Sequence, residues 1–279
     1  MNIVILKVSA FAYLAATAVH LYYLLFQEEF ARNWARRATW AAFGLHTVGL
    51  GVRFVEAGYT PVASLHEAMS FFAWCIVGFY LALQLRYRLA SLGAFVSPLA
   101  LLFVLSAMAV PGQIEPLPAA LQSSWLPVHV ILLFVGDGAF ALAAAAGIMY
   151  LLQEGQLKRK RLGAWFHRLP NLDVLDELNY RCLTIGFPLL TLGIITGAIW
   201  AQQAWGSYWT WDPKETWSLI TWLLYAALLH GRLTIGWRGR RAAWWALIGF
   251  ASVLFTFLGV NFVLPKIIPN LESLHIYAG

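Results

Sequence analysis

The sequence predicts an all-α integral membrane protein with about eight transmembrane helices and both termini on the outer, periplasmic or lumenal, side. Of its 279 residues, 61% are hydrophobic and only 11% are charged, whereas charged residues make up about 25% of ordinary soluble domains. The hydrophobic residues form long runs, and most basic residues lie in alternate connections between those runs. We interpret residues 1–279 as a single polytopic membrane domain.

Eight hydrophobic runs have the length of about 20 residues that a helix needs to cross a bilayer. The first run is longer than a signal-peptide core and lacks a convincing cleavage site, so we expect it to be retained as a helix. The predicted spans are Ile3 to Phe26, Thr39 to Val55, His66 to Leu85, Leu89 to Val110, Pro127 to Leu152, Cys182 to Gln202, Thr216 to Ile235 and Ala242 to Leu264.

The distribution of basic residues sets the predicted orientation. Fifteen of the 19 lysines and arginines, counting Arg232 near the end of the seventh span, fall in the connections that follow the first, third, fifth and seventh spans. Because short cytoplasmic connections are enriched in basic residues, these four connections are predicted to face the cytoplasm. The longest of them, residues 153–181, is a predicted cytoplasmic loop in which Asn171 or Asp173 is able to cap a short interfacial helix.

Several function classes are excluded by the composition. The net charge of +6 is divided among small groups of residues, which argues against nucleic-acid binding. Cys75 and Cys182 lie in or beside separate hydrophobic runs, and no C-x-x-C or C-x-x-C-H motif is present, so the chain is neither a disulfide scaffold nor itself a c-type cytochrome. The sequence contains neither a P-loop nor a segment with the pattern of a soluble catalytic domain.

The connection between the sixth and seventh spans is rich in tryptophan and is predicted to face outward. We call residues 204–217 the tryptophan segment. Trp205, Tyr208, Trp209 and Trp211 lie close together in it. Aromatic side chains are common at membrane interfaces, but four of them ahead of one helix start favour a binding surface for a large, flat ligand.

The residues that follow fit the start of the seventh span. Asp212, Pro213 and Glu215 occupy the positions expected for the N-cap, first and third residues of a helix with a capping box. This interpretation accounts for Asp212 and Glu215, and Asp212 is also counted with the aromatic residues as a candidate cofactor-binding residue. It does not account for the aromatic residues that precede them.

Two of the seven histidines are predicted to lie on the outer side, before and after the tryptophan segment. His129 stands at the start of the fifth span, and His275 lies in the C-terminal tail. Each histidine alone is also typical of a helix end or a protein surface. Because neutral imidazole is the usual axial ligand of haem iron, the pair around an aromatic segment predicts a haem with two histidine ligands.

Two further histidines are predicted deep in the membrane, near the cytoplasmic leaflet. His230 lies about 14 residues into the seventh span, or roughly 21 Å from its outer end. An ionisable residue at that depth is a functional candidate, and Ala226 and Ala227 leave space beside its ring. His46 lies at a similar depth in the second span, where haem ligation and a hydrogen bond to the backbone of a neighbouring helix are both open interpretations.

Two buried charges complete the set of candidates. Asp137 lies within the fifth span and Arg53 near the outer end of the second, and we predict that they form a structural ion pair, with a proton relay as the alternative. Glu67 is predicted to cap the third span, and Cys75 is predicted to be an inert packing residue.

The run from Trp205 to Arg232, WGSYWTWDPKETWSLITWLLYAALLHGR, resembles the tryptophan-rich (WWD) signature of the haem-handling cytochrome c assembly proteins. The resemblance is specific to the CcsA/ResC branch of system II. It extends from about Pro61 to Gly279 and includes the SLHE segment, the WLPVH segment before the fifth span, and the GVN and LHIY segments near the C-terminus. The first two spans match more loosely.

This resemblance implies that His129 and His275 ligate an outer haem over the tryptophan segment, and that His230 belongs to an inner, intramembrane haem site. It implies haem b as the transported ligand and a ResB/Ccs1-like membrane protein as the partner. In that family the complex joins haem to the thiols of a C-x-x-C-H apocytochrome c. The chain is thus expected to be a subunit of a system II cytochrome c synthetase in a bacterial inner membrane or a chloroplast thylakoid membrane.

Two other functions remain open at this point. One is a membrane transporter of another hydrophobic or anionic solute that uses Asp137 and Arg53. The other is a non-catalytic assembly subunit of the same family, without a working outer site. The second ligand of the inner haem is also open: the resemblance favours a histidine of the partner, whereas depth in the membrane allows His46.

Overall fold

The computed structural model describes residues 2–87, 89–160 and 163–263, and the regular structure of these residues is all helical. This agrees with the predicted all-α membrane class. His275, the second predicted outer ligand, lies outside the described residues. The helices are α1 (Asn2–Phe26), α2 (Glu29–Ala57), α3 (Leu65–Arg86), α4 (Gly93–Ala109), α5 (Trp125–Lys158), α6 (Ala164–Arg168), α7 (Leu172–Trp205), α8 (Pro213–His230), α9 (Arg240–Leu254) and α10 (Val260–Phe262).

Seven of the described helical segments are long and apolar enough to cross a membrane: Asn2–Phe26, Leu65–Arg86, Ala90–Ala109, Trp125–Lys158, Leu172–Trp205, Pro213–Ile235 and Arg240–Phe262. Helix α2 contains the predicted second span but is not among the seven. Its sequence includes His46, Arg53 and several charged residues near its ends, all of which lower its hydropathy. The membrane class is therefore confirmed, while the count of eight is not.

The chain divides into two compact units. The first comprises the described residues of Met1–Glu115 and Met149–Leu175, and in it α1 packs against α2 and α4, and α3 packs against α4 and α2. The second comprises the described residues of Pro116–Ile148 and Asp176–Ala278, and in it α8 packs against α9.

Within the first unit, a buried ion pair joins α2 to α3. The Arg53 Nε donates to a Glu67 carboxylate oxygen at 2.8 Å, and both side chains are almost fully buried. The remaining Arg53 nitrogens donate to the Gly112 and Gln113 carbonyls at 2.5 and 3.1 Å. The predicted pair of Arg53 with Asp137 is therefore wrong, because a carboxylate on the neighbouring helix and two nearby carbonyls satisfy this guanidinium.

Glu67 has a second role, at the start of α3. Its carboxylate accepts from the Ser64 amide at 3.2 Å, and its own amide donates to the Ser64 hydroxyl at 3.3 Å. This reciprocal pair is a capping box, which confirms the predicted cap of the third span. The same carboxylate thus starts α3 and neutralises Arg53.

The region predicted as a cytoplasmic loop, residues 153–181, is largely helical. Helix α5 continues to Lys158, and α7 begins at Leu172. The Asn171 side chain accepts from the Val174 amide at 2.9 Å, so Asn171 is the cap of α7, one of the two predicted choices. The expected short helix is the first part of α7 and runs without interruption into the sixth predicted span.

In the second unit, glycines allow α5 and α7 to approach closely. A Cβ atom added at Gly136 of α5 would lie 3.1 Å from the Gly186 carbonyl oxygen of α7. A Cβ atom added at Gly186 would in turn lie 2.7 Å from the Phe140 ring. Small residues at such contacts bring helix backbones together in membrane proteins. This close packing places the start of α5 against the last third of α7, where the candidate site lies.

Candidate functional site

His129 lies near the start of α5 and is held by the backbone of α7. Its Nδ1 donates to the Gly193 carbonyl oxygen at 2.7 Å. Because a carbonyl only accepts, this bond places the proton of the neutral imidazole on Nδ1 and the lone pair on Nε2. Metal-ligating histidines are oriented in the same way, by donating their other ring nitrogen to a carbonyl or carboxylate. The donor chemistry at His129 therefore fits an axial haem ligand.

Two glycines on α7 make room for this histidine. Gly193 and Gly197 are one helical turn apart and face α5. A Cβ atom added at Gly197 would lie 2.5 Å from Cε1 and Nδ1 of His129, and one added at Gly193 would overlap the Leu133 side chain. Any side chain at Gly197 would consequently displace the imidazole from its present position.

Aromatic contacts connect His129 to the tryptophan segment. The Trp200 ring stacks on the His129 ring with centroids 5.9 Å apart and planes 28° apart. Trp200 also makes an edge contact with Trp205, the first aromatic residue of the tryptophan segment, at 5.0 Å between ring centroids. Trp200 is buried, and its Nε1 donates to the Ala120 carbonyl at 3.0 Å. Trp200 thus contacts both the tryptophan segment and His129, so a movement of the segment would be transmitted to the histidine through this ring.

The tryptophan segment leaves α7 through a left-handed turn. Gly206 has a φ of 75°, and its amide donates to the Gln202 carbonyl at 3.1 Å, which ends the helix at Trp205. Trp211 has a φ of 59°, a conformation that is uncommon for a bulky residue. Backbone strain of this kind clusters at binding sites, where the surrounding structure maintains it.

Glu215 maintains that conformation. Its carboxylate accepts from the amides of Thr210 and Asp212, at 2.7 and 3.2 Å. Asp212 in turn accepts from the Lys214 amide at 2.8 Å, and the two acidic residues form the capping box of α8 with Pro213 in its first turn. The predicted capping roles of Asp212 and Glu215 are confirmed. The structure adds that Glu215 fixes Thr210, the residue between Trp209 and Trp211.

The four aromatic residues of the segment that precede α8 do not share one plane. The rings of Trp209 and Trp211 are nearly perpendicular, at 87°, with centroids 5.8 Å apart. Tyr208 and Trp211 are 60% and 68% exposed, whereas Trp205 and Trp209 are partly buried. The Trp209 Nε1 is buried and has no hydrogen-bond partner in the part of the chain that the structure describes. The segment therefore presents two exposed aromatic faces supported by two inner indoles.

His230 is the last residue of α8 and is exposed. The chain continues as a π-helical turn, Gly231–Ile235, in which the Thr234 hydroxyl donates to the His230 carbonyl at 2.7 Å. Turns of this type are rare and often occur at functional sites. The His230 ring makes no hydrogen bond to any residue that the structure describes, and it lies apart from the His129 cluster, at the opposite end of α8 from the tryptophan segment.

A buried ion pair supports the π-helical turn. Arg232 donates through Nη1 and Nη2 to the two Asp176 carboxylate oxygens, at 2.9 and 2.5 Å. The same carboxylate accepts from the Gly239 amide at 2.8 Å, and the Arg232 guanidinium lies 4.7 Å from the centre of the Tyr180 ring. This cluster fixes the backbone two residues after His230. This pair was not predicted from the sequence, although Arg232 ends the tryptophan-rich run and Asp176 lies in the polar first part of α7.

His46 is fully engaged within the first unit. Its Nδ1 is 3.2 Å from the Tyr13 hydroxyl, and its Nε2 is 2.8 Å from the Ser70 hydroxyl. The hydrogen-bonding interpretation therefore describes this residue, with side-chain hydroxyls as partners in place of the expected backbone. Ligation of a metal by His46 would require one of these two bonds to break.

Arg53 and Asp137 are the two residues that the transporter hypothesis would use. Arg53 is paired with Glu67, and Asp137 makes no hydrogen bond or ion pair with the described residues of 2–263. In the transporter hypothesis, Arg53 would have to leave its structural ion pair with Glu67 to act on a solute.

Three residues of the candidate site were not predicted from the sequence: Trp200, Gly193 and Gly197. A signal was present for all three. Trp200 precedes Trp205 by five residues near the end of the same helix, and the two glycines have the small-x-x-x-small spacing of a close helix contact.

The family model for "Cytochrome C assembly protein" matches residues 62–268 of this chain. The cytochrome c biogenesis protein CcsA of Guillardia theta is 41% identical over 236 residues, which cover 78% of each chain. CcsA of Synechococcus elongatus is 38% identical over 257 residues, covering 76% of this chain and 79% of its own length. CcsA of Chlamydomonas reinhardtii is 39% identical over 219 residues, covering 76% of this chain and 61% of the algal protein.

The fold is also similar to that of a solved structure. The cytochrome c haem lyase CcmF superposes with a TM-score of 0.70 at 21% identity, over 92% of this chain. The match covers 46% of CcmF, so this chain spans less than half the length of that protein. At this identity, the similarity shows a common fold.

Proposed function

The chain belongs to the cytochrome c assembly protein family, and from that premise we propose that it is the haem-handling subunit of a system II cytochrome c synthetase. Its role in cytochrome c biogenesis, predicted from the tryptophan-rich run, is confirmed by the family and by the CcsA relatives. In the finer proposal, the chain receives haem b, presents it at the outer face, and holds it while haem is joined to apocytochrome c. It acts only as part of the complex.

The observation that carries this proposal is the fixed orientation of His129. The bond to Gly193, the stacked Trp200 and the close Gly197 hold the imidazole in one orientation and one tautomer before any ligand arrives. A ligand group that is already ordered loses little conformational entropy on binding. This arrangement suits a residue that receives a large cofactor and releases it again.

In the proposed outer site, His129 and His275 are the two axial ligands. Trp205, Tyr208, Trp209 and Trp211 contact the porphyrin through buried area and stacking. Asp212 and Glu215 hold the tryptophan segment in shape, and Asp212 also belongs to the proposed cofactor-binding set. The chain's contribution is then mainly positional, since it holds reduced haem where the thiols of the C-x-x-C-H motif reach the vinyl groups.

In the proposed inner site, His230 ligates haem near the cytoplasmic leaflet before haem moves outward. Its exposed position at the end of α8 suits a site that a second protein completes. We propose that a ResB/Ccs1-like partner supplies the other histidine, because both ring nitrogens of His46 are engaged.

For the membrane arrangement, we propose eight crossings with α2 as the eighth, and both termini on the outer side. The membrane is a bacterial inner membrane or a thylakoid membrane. The buried ion pair of Arg53 reduces the cost of placing α2 in the bilayer, since paired charges are tolerated there better than isolated ones.

The experiment is to purify the chain with its partner from haem-replete cells and to measure haem per protein, the Soret and visible bands, and maturation of a C-x-x-C-H reporter. We expect low-spin haem in the wild type. His129→Ala and His275→Ala are each expected to abolish maturation, with partial rescue by added imidazole, because imidazole can occupy the empty axial position.

His167→Ala serves as the control, since this exposed histidine lies outside both proposed sites. Colourless wild-type protein would instead indicate a non-catalytic assembly subunit. Normal maturation in both ligand variants would remove His129 and His275 from the proposal.

A further inference from the structure

A polar pocket lies in the second unit, at the end that carries the tryptophan segment. Its volume is about 520 Å³, within the range of sites for small molecules and short peptide segments. One wall is the connection that precedes α5 and the other is the last turn of α7. Besides three alanines, the pocket is lined by Gln122, Ser123, Ser124, Trp125 and Gln203.

Hydrogen bonds hold these walls in place. The Ser123 hydroxyl donates to the Gln203 side-chain oxygen at 2.9 Å and so joins the two walls. On the first wall, Trp200 donates to the Ala120 carbonyl at 3.0 Å, and the Gln122 amide group donates to the Leu117 carbonyl at 2.8 Å. The pocket is therefore formed before a ligand enters it.

The lining chemistry limits what the pocket binds. No residue that lines it is charged. The propionates of haem and inorganic anions favour arginine, lysine or a helix N-terminus, and metal ions favour carboxylates, imidazoles or thiolates. Hydroxyl and carboxamide groups, together with main-chain groups, instead complement the neutral N–H and C=O groups of an extended polypeptide.

The position of the pocket is close to both parts of the outer site. Trp125 precedes His129 by four residues, or about 6 Å along α5. Gln203 and Ala204 directly precede Trp205, the first aromatic residue of the tryptophan segment. A polypeptide in the pocket would lie beside the group that holds haem.

We infer that this pocket binds the acceptor polypeptide, as an extended segment of apocytochrome c next to its haem-attachment cysteines. This inference rests on the proposed function of the outer site. The pocket contacts the main chain of the acceptor and so accepts different sequences, while His129 and the tryptophan segment hold the haem.

The first test measures protection of an introduced thiol. Ser124→Cys places a thiol in the pocket, and Gln113→Cys places one on an exposed residue of the same connection, outside the pocket. Both native cysteines are buried, so a maleimide reagent reports on the new thiol. The probe is a synthetic acceptor peptide in which serines replace the two cysteines, because peptide thiols would consume the reagent.

At a peptide concentration ten times that giving half protection, we expect labelling of Ser124→Cys to be about tenfold slower. Labelling of Gln113→Cys should be unchanged. Equal rates with and without peptide at Ser124→Cys, or equal slowing at both positions, overturn the inference. Protection by added haem in the absence of peptide assigns the pocket to haem and also overturns it.

The second test fills the pocket in the full complex. Gln203→Trp occupies the space, whereas Gln203→Ala removes the bond to Ser123 and leaves the space open. We expect Gln203→Trp to lower the rate of haem attachment about tenfold, with haem per protein unchanged, and Gln203→Ala to lower that rate clearly less, because it leaves the space open. Gln113→Trp is the control for added bulk.

Normal attachment by Gln203→Trp overturns the inference. So does an equal loss in Gln203→Trp and Gln203→Ala, because that result assigns the effect to the broken hydrogen bond. The haem content of the wild-type protein distinguishes failure of the proposed function from failure of this inference. Wild-type protein without haem contradicts the outer site, whatever the labelling experiment shows.

Discussion

The histidines of the two proposed haem sites are held very differently. Near the start of α5, His129 is oriented by a carbonyl, a stacked indole and a glycine of α7. At the end of α8, His230 is exposed, and the support lies two residues further on, in the ion pair of Arg232 with Asp176. One histidine is positioned directly, the other through its backbone.

This difference indicates how each site is completed. A side chain that the fold has already oriented needs only its ligand, so the chain itself provides the geometry of the outer site. A side chain that is exposed at a helix end gains its orientation from whatever binds there. The proposed inner site is in that sense half of a site, which agrees with the proposal that a partner protein supplies the other ligand.

The largest effect is expected from Gly197→Leu. The new side chain would occupy the space of the His129 ring, since even a Cβ atom would be 2.5 Å from it. We expect loss of the outer low-spin haem signal and of cytochrome maturation, as complete as in His129→Ala. Gly155→Leu is the control, because a Cβ atom at this helical glycine of α5 meets nothing within 4 Å. Normal maturation in Gly197→Leu would show that the orientation of His129 is unimportant.

A strong effect at the proposed inner site is expected from Asp176→Asn. This change leaves the buried Arg232 without its charged partner, and breaking a buried pair costs about 3–5 kcal/mol. We expect a lower unfolding temperature and loss of the inner haem, with the outer haem retained in the protein that remains folded. The measurements are thermal unfolding and haem spectra of the purified complex.

The matched control for Asp176→Asn is Glu177→Gln. It breaks the neighbouring pair with Arg181, whose two side chains are 52% and 44% exposed. Exposed pairs contribute about 0.2–1 kcal/mol, so little change is expected. If both variants lost the inner haem equally, the buried pair would have no special relation to His230.

An intermediate effect is expected from Trp209→Ala. This residue is half-buried in the tryptophan segment, so its removal should lower haem occupancy without lowering the amount of protein. Asp212→Ala is the comparison, because it removes a helix cap and should destabilise the protein by about 1 kcal/mol with haem per folded protein unchanged. Haem content is measured against folded protein for both. Equal occupancy in the wild type and a Trp205, Trp209 and Trp211 triple alanine variant would contradict the aromatic surface.

Sequence reasoning identified the helical membrane class, the caps at Glu67, Asn171 and Asp212, and the tryptophan segment, because each depends on residues close together in the chain. It failed where distant residues meet. The partner of Arg53 is decided by the packing of α2 on α3, and the orientation of His129 by a carbonyl 64 residues later in the chain. Residue types predict caps and spans, whereas the register between helices decides which polar groups face one another.

The smallest effect on maturation is expected from His46→Ala, which tests whether this chain supplies the second ligand of the inner haem. The change removes two buried hydrogen bonds and leaves Tyr13 and Ser70 without this partner. An unsatisfied buried group costs about 1–3 kcal/mol, so the yield of folded protein should fall.

Tyr13→Phe and Ser70→Ala remove one bond each and report the structural part of that loss. If the partner protein ligates the inner haem, all three variants mature cytochromes almost normally per folded protein. If His46 is the ligand, only His46→Ala loses the inner haem, because the other two variants keep an imidazole at this position.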